Sequence, residues 1–332
     1  MTILKVSAGE SGQRLNKFLM KYLNQAPSSF IYKMLRKKNI TINHTKARGD
    51  EIIQEGDEIK LFLSDETIDK FQSHKEKKVI PPTSGKIFEP EILYADNDIM
   101  AVHKPAGILS QKSRAHDVSI NEIIVDYCYF NRLVSKDGNA DFTPSICNRL
   151  DRNTSGIILA GISLHGSQML CNILREHDCE KYYVTLVKGD FRGRQSLDAY
   201  IRKDRSNNIS EVLPKNDYLA LDENEKDAYS HISSVFYCIS GNGRYTLIKV
   251  KLITGKSHQI RAGLKHIGYP VAGDGKYGNS DANNYFMKKY GLKHHLLHCG
   301  KISFNNITIT DPLPDIFVKI CRGEDIDMNF SL

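Results

Sequence analysis

A chain of 332 residues, 40% of them hydrophobic and 26% charged, has the make-up of a globular protein of one large domain or two, and not of a low-complexity or disordered polymer. Its net charge of +7 is too small to identify a partner without knowing where the charge sits. Seven scattered cysteines with no C-x-x-C pair suggest neither a disulfide framework nor a zinc knuckle, and read as reduced thiols. The start, Met1-Thr2-Ile3-Leu4-Lys5, lacks a signal-peptide core and no apolar run reaches span length, so a cytoplasmic protein with no membrane association is expected.

Between Lys5 and Arg48 there are ten basic residues and one acidic residue, Glu10, an uneven distribution that suits a polyanion-binding surface. Leu15, Phe18, Leu19 and Tyr22 recur at helical spacing, and Ser28 or Ser29 is the expected cap of a second helix running through Lys38. On that helix Ile31, Met34 and Leu35 share one face, while Lys33, Arg36 and Lys37 project from the other. Strands at 40–42 and 58–63 complete a small α/β module, expected over 12–65, in which Ile59, Leu61 and Leu63 alternate inward. The charged stretch 66–86, ending in Pro81-Pro82-Thr83-Ser84-Gly85, has too few apolar residues to offset ordering entropy and predicts a flexible linker.

From 87 to 332 the pattern is rich in strands. Segments 92–94 and 99–102 flank the turn residues Asp96-Asn97-Asp98. Strands at 156–160 and 182–187 enclose a helix over 164–176, and segments 235–237 and 245–250 pair across Ser240-Gly241-Asn242-Gly243. The polar segment 203–226 is expected to be a surface excursion. Consecutive strands joined by turns predict an α+β domain with a mixed, mainly antiparallel sheet.

The densest chemical cluster is Asn148-Arg149-Leu150-Asp151-Arg152-Asn153-Thr154-Ser155-Gly156, ahead of a buried strand. Flanking arginines favour the ionised form of Asp151, which suits a nucleophile or base at neutral pH. Taken alone, the cluster also fits a surface aspartate in a salt-bridged turn.

Arg149 to Gly156 match the Arg-Leu-Asp-x-x-Thr-Ser-Gly loop, and on these residues the chain resembles the RluA-like family of RNA pseudouridine synthases. Three further blocks follow the family's order: His103-Lys104-Pro105-Ala106-Gly107, then Glu180 to Gly189, then Thr254-Gly255-Lys256-Ser257-His258-Gln259-Ile260-Arg261, trailed by Gly268-Tyr269-Pro270 and Gly273-Asp274. The first module resembles the alpha-L RNA-binding motif, and Gly12-Gln13-Arg14-Leu15 with 31–36 resembles the RluC-like subgroup. The resemblance implies a pseudouridine synthase fold and an isomerase that needs no cofactor or metal. It also implies that Asp151 is the catalytic carboxylate, Arg261 its partner and Tyr183 the ring that stacks on the uracil. The doubled Tyr182-Tyr183 leaves that position open by one residue. Arg149 matches the arginine that displaces the target base, and Lys33, Arg36, Lys37, Lys104 and Lys256 are the expected RNA contacts. The implied partner is RNA, from the module order that of the large ribosomal subunit, and the implied state is a monomer.

Three positions depart from the family pattern. Asn148 stands where many relatives have His, Lys256 replaces an Arg and so lacks its planar fork, and Gly263 stands in place of another His. A P-loop reading of Gly255-Lys256-Ser257 fails because Val250 occupies a required glycine. His294, His295 and His298 lack a further ligand at metal spacing, and read as core or surface residues. Two other functions compete with the synthase: an RNA-binding assembly factor without activity, and a nucleoside hydrolase. The hydrolase would call for a second carboxylate opposite Asp151.

Overall fold

The computed structural model describes residues 1–72, 89–114, 116–133, 142–204 and 206–332. At the N-terminus a four-stranded antiparallel sheet runs in the order Thr2–Lys5, Glu58–Leu61, Ile40–Ile42, Thr45–Lys46. Helices Leu15–Tyr22 and Ser28–Arg36 bury Leu15, Phe18, Leu19, Ile31 and Leu35 against Ile40, Ile59 and Leu61 of that sheet. The amphipathic spacing read from the sequence is therefore what closes this core.

Three local expectations need correction. The strand Thr2–Lys5 lies upstream of the expected start at residue 12 and supplies an edge of the sheet. Pro27, not Ser28 or Ser29, is the N-cap of the second helix: its backbone is still extended, and its carbonyl accepts the first helical bonds from the Phe30 and Ile31 N–H at 2.9 and 3.4 Å. Residues 66–71, expected to be linker, belong to a helix, Asp65–Phe71, whose Ser64 hydroxyl accepts the Thr67 N–H at 3.3 Å. Ile68 is buried there and the Phe71 ring lies 4.6 Å from that of Phe30, so two apolar contacts outweigh a charged composition. The remainder of the expected linker, 73–86, lies outside the described residues.

The second sheet has eleven described strands. Its main path runs Ile209–Pro214, Arg194–Asp204, Ser230–Gly241, Tyr245–Leu252, Glu180–Lys188, Leu297–Phe304, Ser155–Gly161, Ile99–Lys104, Ile92–Ala95. Every described strand pairing is antiparallel except Leu297–Phe304 with Ser155–Gly161, which is parallel through His298↔Ser155 and Cys299↔Gly156. The α+β, mainly antiparallel expectation holds. The segment 203–226 differs from the expected excursion: Arg194–Asp204 and Ile209–Pro214 form a hairpin, and Tyr218 of the next short helix stacks on Tyr200 at 3.5 Å. One face of the sheet is covered by helices Ile120–Phe130, Leu164–Glu176 and Gln259–His266. The other is covered at one end by Ser280–Tyr290 and Asp315–Gly323, which pack on Val184, Leu186 and Leu247.

Candidate active site

The Arg149–Thr154 loop enters the strand Ser155–Gly161 on the first of these faces, held by hydrogen bonds at Leu150, Asp151, Arg152 and Thr154. Ser110 Oγ donates to Leu150 O at 2.7 Å and accepts the Leu150 N–H at 3.0 Å. Gly107 N donates to Arg152 O at 2.8 Å, and Arg152 Nε returns a bond to Gly107 O at 3.0 Å. Thr154 N donates to Asp151 O at 3.0 Å, and its hydroxyl meets His295 Nε2 at 2.8 Å. Gly156 then takes φ +122°, and a Cβ there would land on the Cys299 backbone, so the last residue of the loop motif has to be glycine.

The partner of Asp151 comes from a helix more than a hundred residues later. The Gln259 side chain accepts from Lys256 N at 3.0 Å and donates to Ser233 O at 3.0 Å and Ser234 Oγ at 2.9 Å. This ties the Thr254–Lys256 turn to the sheet and occupies the Lys256 amide that a phosphate loop would leave free. His258 opens the helix in the left-handed region, φ +58°, with its Nδ1 2.8 Å from Tyr277 Oη. One turn on, Arg261 sends Nη1 to Asp151 Oδ2 at 2.8 Å, and Nε and Nη2 to Asp274 Oδ2 and Oδ1 at 2.7 and 2.8 Å.

Charge in this triad is well compensated. Burial opposes the charged form of Arg261, but hydrogen bonds and charge from Asp274, then Asp151, push its pKa up. Burial likewise works against the Asp274 carboxylate, and Arg261 more than offsets it, so its pKa falls. Asp274 is inaccessible, with 0% side-chain exposure, whereas Asp151 retains 25% and faces the cavity. One carboxylate therefore anchors the guanidinium, and the guanidinium aims the other.

The cavity measures about 1340 Å³, more than the 300–1,000 Å³ typical of a small-ligand site. Among the described residues lining it, eight are Lys or Arg and Asp151 is the one carboxylate, so no described group stands opposite Asp151 as a hydrolase's second acid would. Tyr183 forms part of its wall, 6% exposed, and burial holds its phenol well above its usual pKa and therefore neutral. Strand alternation places Tyr182 on the opposite face of the sheet, so of the two tyrosines it is Tyr183 that lines the cavity.

The expected RNA contacts separate into three groups. Arg149 and Lys256 are exposed on the cavity wall. Lys33, Arg36 and Lys37 are exposed on the N-terminal module and do not line the cavity. Lys104 requires correction: it is fully buried, and its Nζ donates to Pro105 O, Ile108 O and Arg152 O at 3.0, 2.8 and 3.1 Å. Burial lowers its pKa to about 7 against the pull of Asp151, so it ties two loops together and is shielded from a phosphate backbone.

Asp274, Gln259, Ser110 and His295 had no assigned role in the sequence reading. A carboxylate in the turn Gly273-Asp274-Gly275 just after the Arg261 block was the available signal for the first, since Gly273 at φ +78° leaves no room for a Cβ beside His294 O. The departures also have local reasons. Asn148 accepts from Leu159 N at 2.7 Å and donates to Ile157 O at 3.2 Å, closing the strand edge. At Gly263 a Cβ would lie 2.7 Å from Leu197 Cδ2, so leucine fills the space a larger residue would need. His298 Nε2 donates to the Asp311 carbonyl at 3.0 Å, and its Nδ1 lies 3.0 Å from Ser155 Oγ, inside the core.

The family model described as RNA pseudouridylate synthase matches residues 98–266, spanning both Asp151 and Arg261. The ribosomal large subunit pseudouridine synthase C of Buchnera aphidicola is 28% identical, covering 96% of each chain. An uncharacterized RNA pseudouridine synthase of Mycoplasma genitalium is 30% identical, covering 88% of this chain and 85% of the relative. In fold, the human RNA pseudouridylate synthase domain containing 4 superposes with a TM-score of 0.59 over 72% of this chain and 94% of that one, at 17% identity. The chain belongs to the RNA pseudouridylate synthase family, isomerases that convert uridine in RNA to pseudouridine.

Proposed function

We propose that this protein isomerises specific uridines of large-subunit ribosomal RNA, with Asp151 as the reacting carboxylate and the target base turned out of its stack into the cavity. The observation that carries the reading is the 2.8 Å contact of Arg261 with Asp151 beside Tyr183, in a cavity whose charged lining is otherwise basic. The ribosomal substrate is supported by the names of relatives that align over almost their whole length.

The reaction breaks the bond from uracil N1 to ribose C1′ and forms one from C5 to C1′. The C5 proton leaves and N1 gains one, so no net oxidation, reduction or hydrolysis takes place. A carboxylate has three ways to begin: attack at C1′, removal of the C2′ proton, or addition at C6 of the ring. All three call for an ionised oxygen held at fixed geometry, which the Arg261 contact and the pinned 149–154 loop provide. Uracil in stacked RNA hides these atoms, so it has to leave the stack. Arg149 at the cavity edge then takes its place, and Tyr183 retains the detached ring while it turns.

The test maps pseudouridine across cellular RNA in a strain lacking the gene, complemented with wild type or with Asp151→Asn. Wild type restores sites in large-subunit ribosomal RNA and the variant does not. Sites lost only in transfer RNA would overturn the substrate assignment, and sites restored by the variant would overturn the role of Asp151.

A further inference from the structure

The face of the large sheet opposite Tyr183 is covered at one end by helices, and at the other Tyr182, Tyr237, Lys249, Lys251 and Lys301 are half-exposed and Arg194 exposed. This half-open part is not a neutral solvent surface. Tyr182 pairs with Lys251 on one neighbouring strand and Lys301 on the other, while Tyr237 pairs with Lys249 and Arg194. The ammonium groups of Lys249, Lys251 and Lys301 lie 5.8, 5.7 and 5.9 Å from the centroid of the Tyr182 ring. Lys249 and Arg194 stand 5.8 and 5.5 Å from the Tyr237 ring.

Three ammonium groups round one ring lie within roughly a Debye length of each other, ~8–10 Å, and repel. Glu180 pairs with Lys251, and Lys301 donates to Leu332 O at 2.7 Å, which leaves Lys249 and Arg194 with their rings as the groups most open to an incoming anion. The patch also adjoins the cavity. Lys181 and Leu252 line the cavity from one face, and Tyr182 and Lys251, their immediate neighbours in sequence, stand on the other. Only the end of the Tyr245–Leu252 strand separates the two, and the cavity residues Thr254 and Lys256 continue past that end.

We propose that an unpaired segment of the RNA leaves the cavity round this strand end and lies across the Tyr182–Tyr237 face, with bases on the two rings and phosphates on the lysines and Arg194. Interleaved rings and cations on an open sheet suit single-stranded RNA, whose bases offer π faces, and not a duplex, whose bases are already stacked. The proposal rests on RNA being the occupant of the cavity but not on which RNA is modified.

Full-length protein is titrated into labelled single-stranded oligouridylate of ~30 nucleotides and of ~6 nucleotides, the shorter too small to span cavity and face. Lys249→Gln with Tyr182→Leu is expected to weaken binding of the long probe about tenfold and of the short probe less than twofold, with a salt slope shallower by ~0.7 for the lost cation. Lys249→Gln alone, which alters one half-exposed head group, gives the same direction at about threefold, and Lys249→Arg restores wild-type binding. Unchanged binding of the long probe, equal losses on both probes, or a duplex of the long probe showing the same sensitivity would each overturn it. Product formation is read separately on cellular RNA, so loss of pseudouridine with length-dependent binding intact strikes the proposed function and leaves this surface standing.

Discussion

Arg261 and Arg36 carry the same guanidinium in opposite settings. Arg261 is 7% exposed between two carboxylates, whereas Arg36 projects from the Ser28–Arg36 helix into water beside Lys33 and Lys37. A buried charge fixes geometry, because leaving its position would strand a partner without water. An exposed charge fixes little, but it adds long-range attraction for a polyanion that salt screens away. The proposed function assigns the chemical step to the Asp151 cluster and the capture of RNA to the N-terminal helix.

The largest effect should come from breaking the buried side of that contrast. Arg261→Met leaves Asp274 without its partner and should cost on the order of 3–5 kcal/mol of stability, together with activity. Adding Asp274→Asn should return most of the stability, measured by denaturant unfolding, but none of the activity. If the double variant Arg261→Met with Asp274→Asn regained turnover, Arg261 would not be acting on Asp151.

Next in size is the acid response. Burial lowers the His295 pKa from 6.5 to about 4, with Arg261 adding to the shift. The unfolded chain therefore takes up a proton between these values while the folded chain does not. Stability contributed here is complete above pH 6.5 and falls as pH drops toward 4, by about 3 kcal/mol in all. His295→Gln can keep a bond to Thr154 and should flatten this part of the stability–pH curve. An unchanged slope would place the titration elsewhere.

Tyr183→Leu removes the ring but keeps an apolar wall, and should lower kcat by roughly 10- to 100-fold, matching ~1–3 kcal/mol of stacking. Tyr183→Phe should stay near wild type, since burial keeps the phenol neutral. The smallest change is expected at the exposed end: replacing Lys33, Arg36 and Lys37 with Gln should raise KM about tenfold at moderate salt and leave kcat alone, with a slope against salt reduced by ~2–3. A fall in kcat instead would mean that the module helps to shape the cavity.

The same contrast explains what could be read in the amino-acid order. Helix Leu164–Glu176 was legible because its apolar spacing begins at a capping residue, Ser163, whose hydroxyl accepts from Gly166 N. Helix Asp65–Phe71 was not, because its few apolar residues meet partners distant in sequence, Phe30 among them. The strand Arg194–Asp204 hid behind the charged residues of its exposed side, although Leu197, Ala199 and Ile201 alternate inward. Asp151, Tyr183 and Arg261 could be named from ordered motifs, and the fold brings all three to one cavity. Lys104 was misassigned because composition shows that a charge exists, not that the following turn and the Arg149–Thr154 loop bring three carbonyls round it. Asp274 was visible as the carboxylate of a glycine turn after the Arg261 block, but its role escaped because only the fold brings it against Arg261.

The central claim, that the Asp151 carboxylate drives isomerisation and is not merely a surface anchor for RNA, is tested most directly by single-turnover tritium release from RNA carrying 5-tritiated uridine, with RNA affinity measured on the same preparation. Asp151→Asn keeps the shape and the Arg261 contact but removes the charge. It should lower release by at least about 10³-fold while RNA affinity changes less than about threefold. Release within tenfold of wild type would contradict the account.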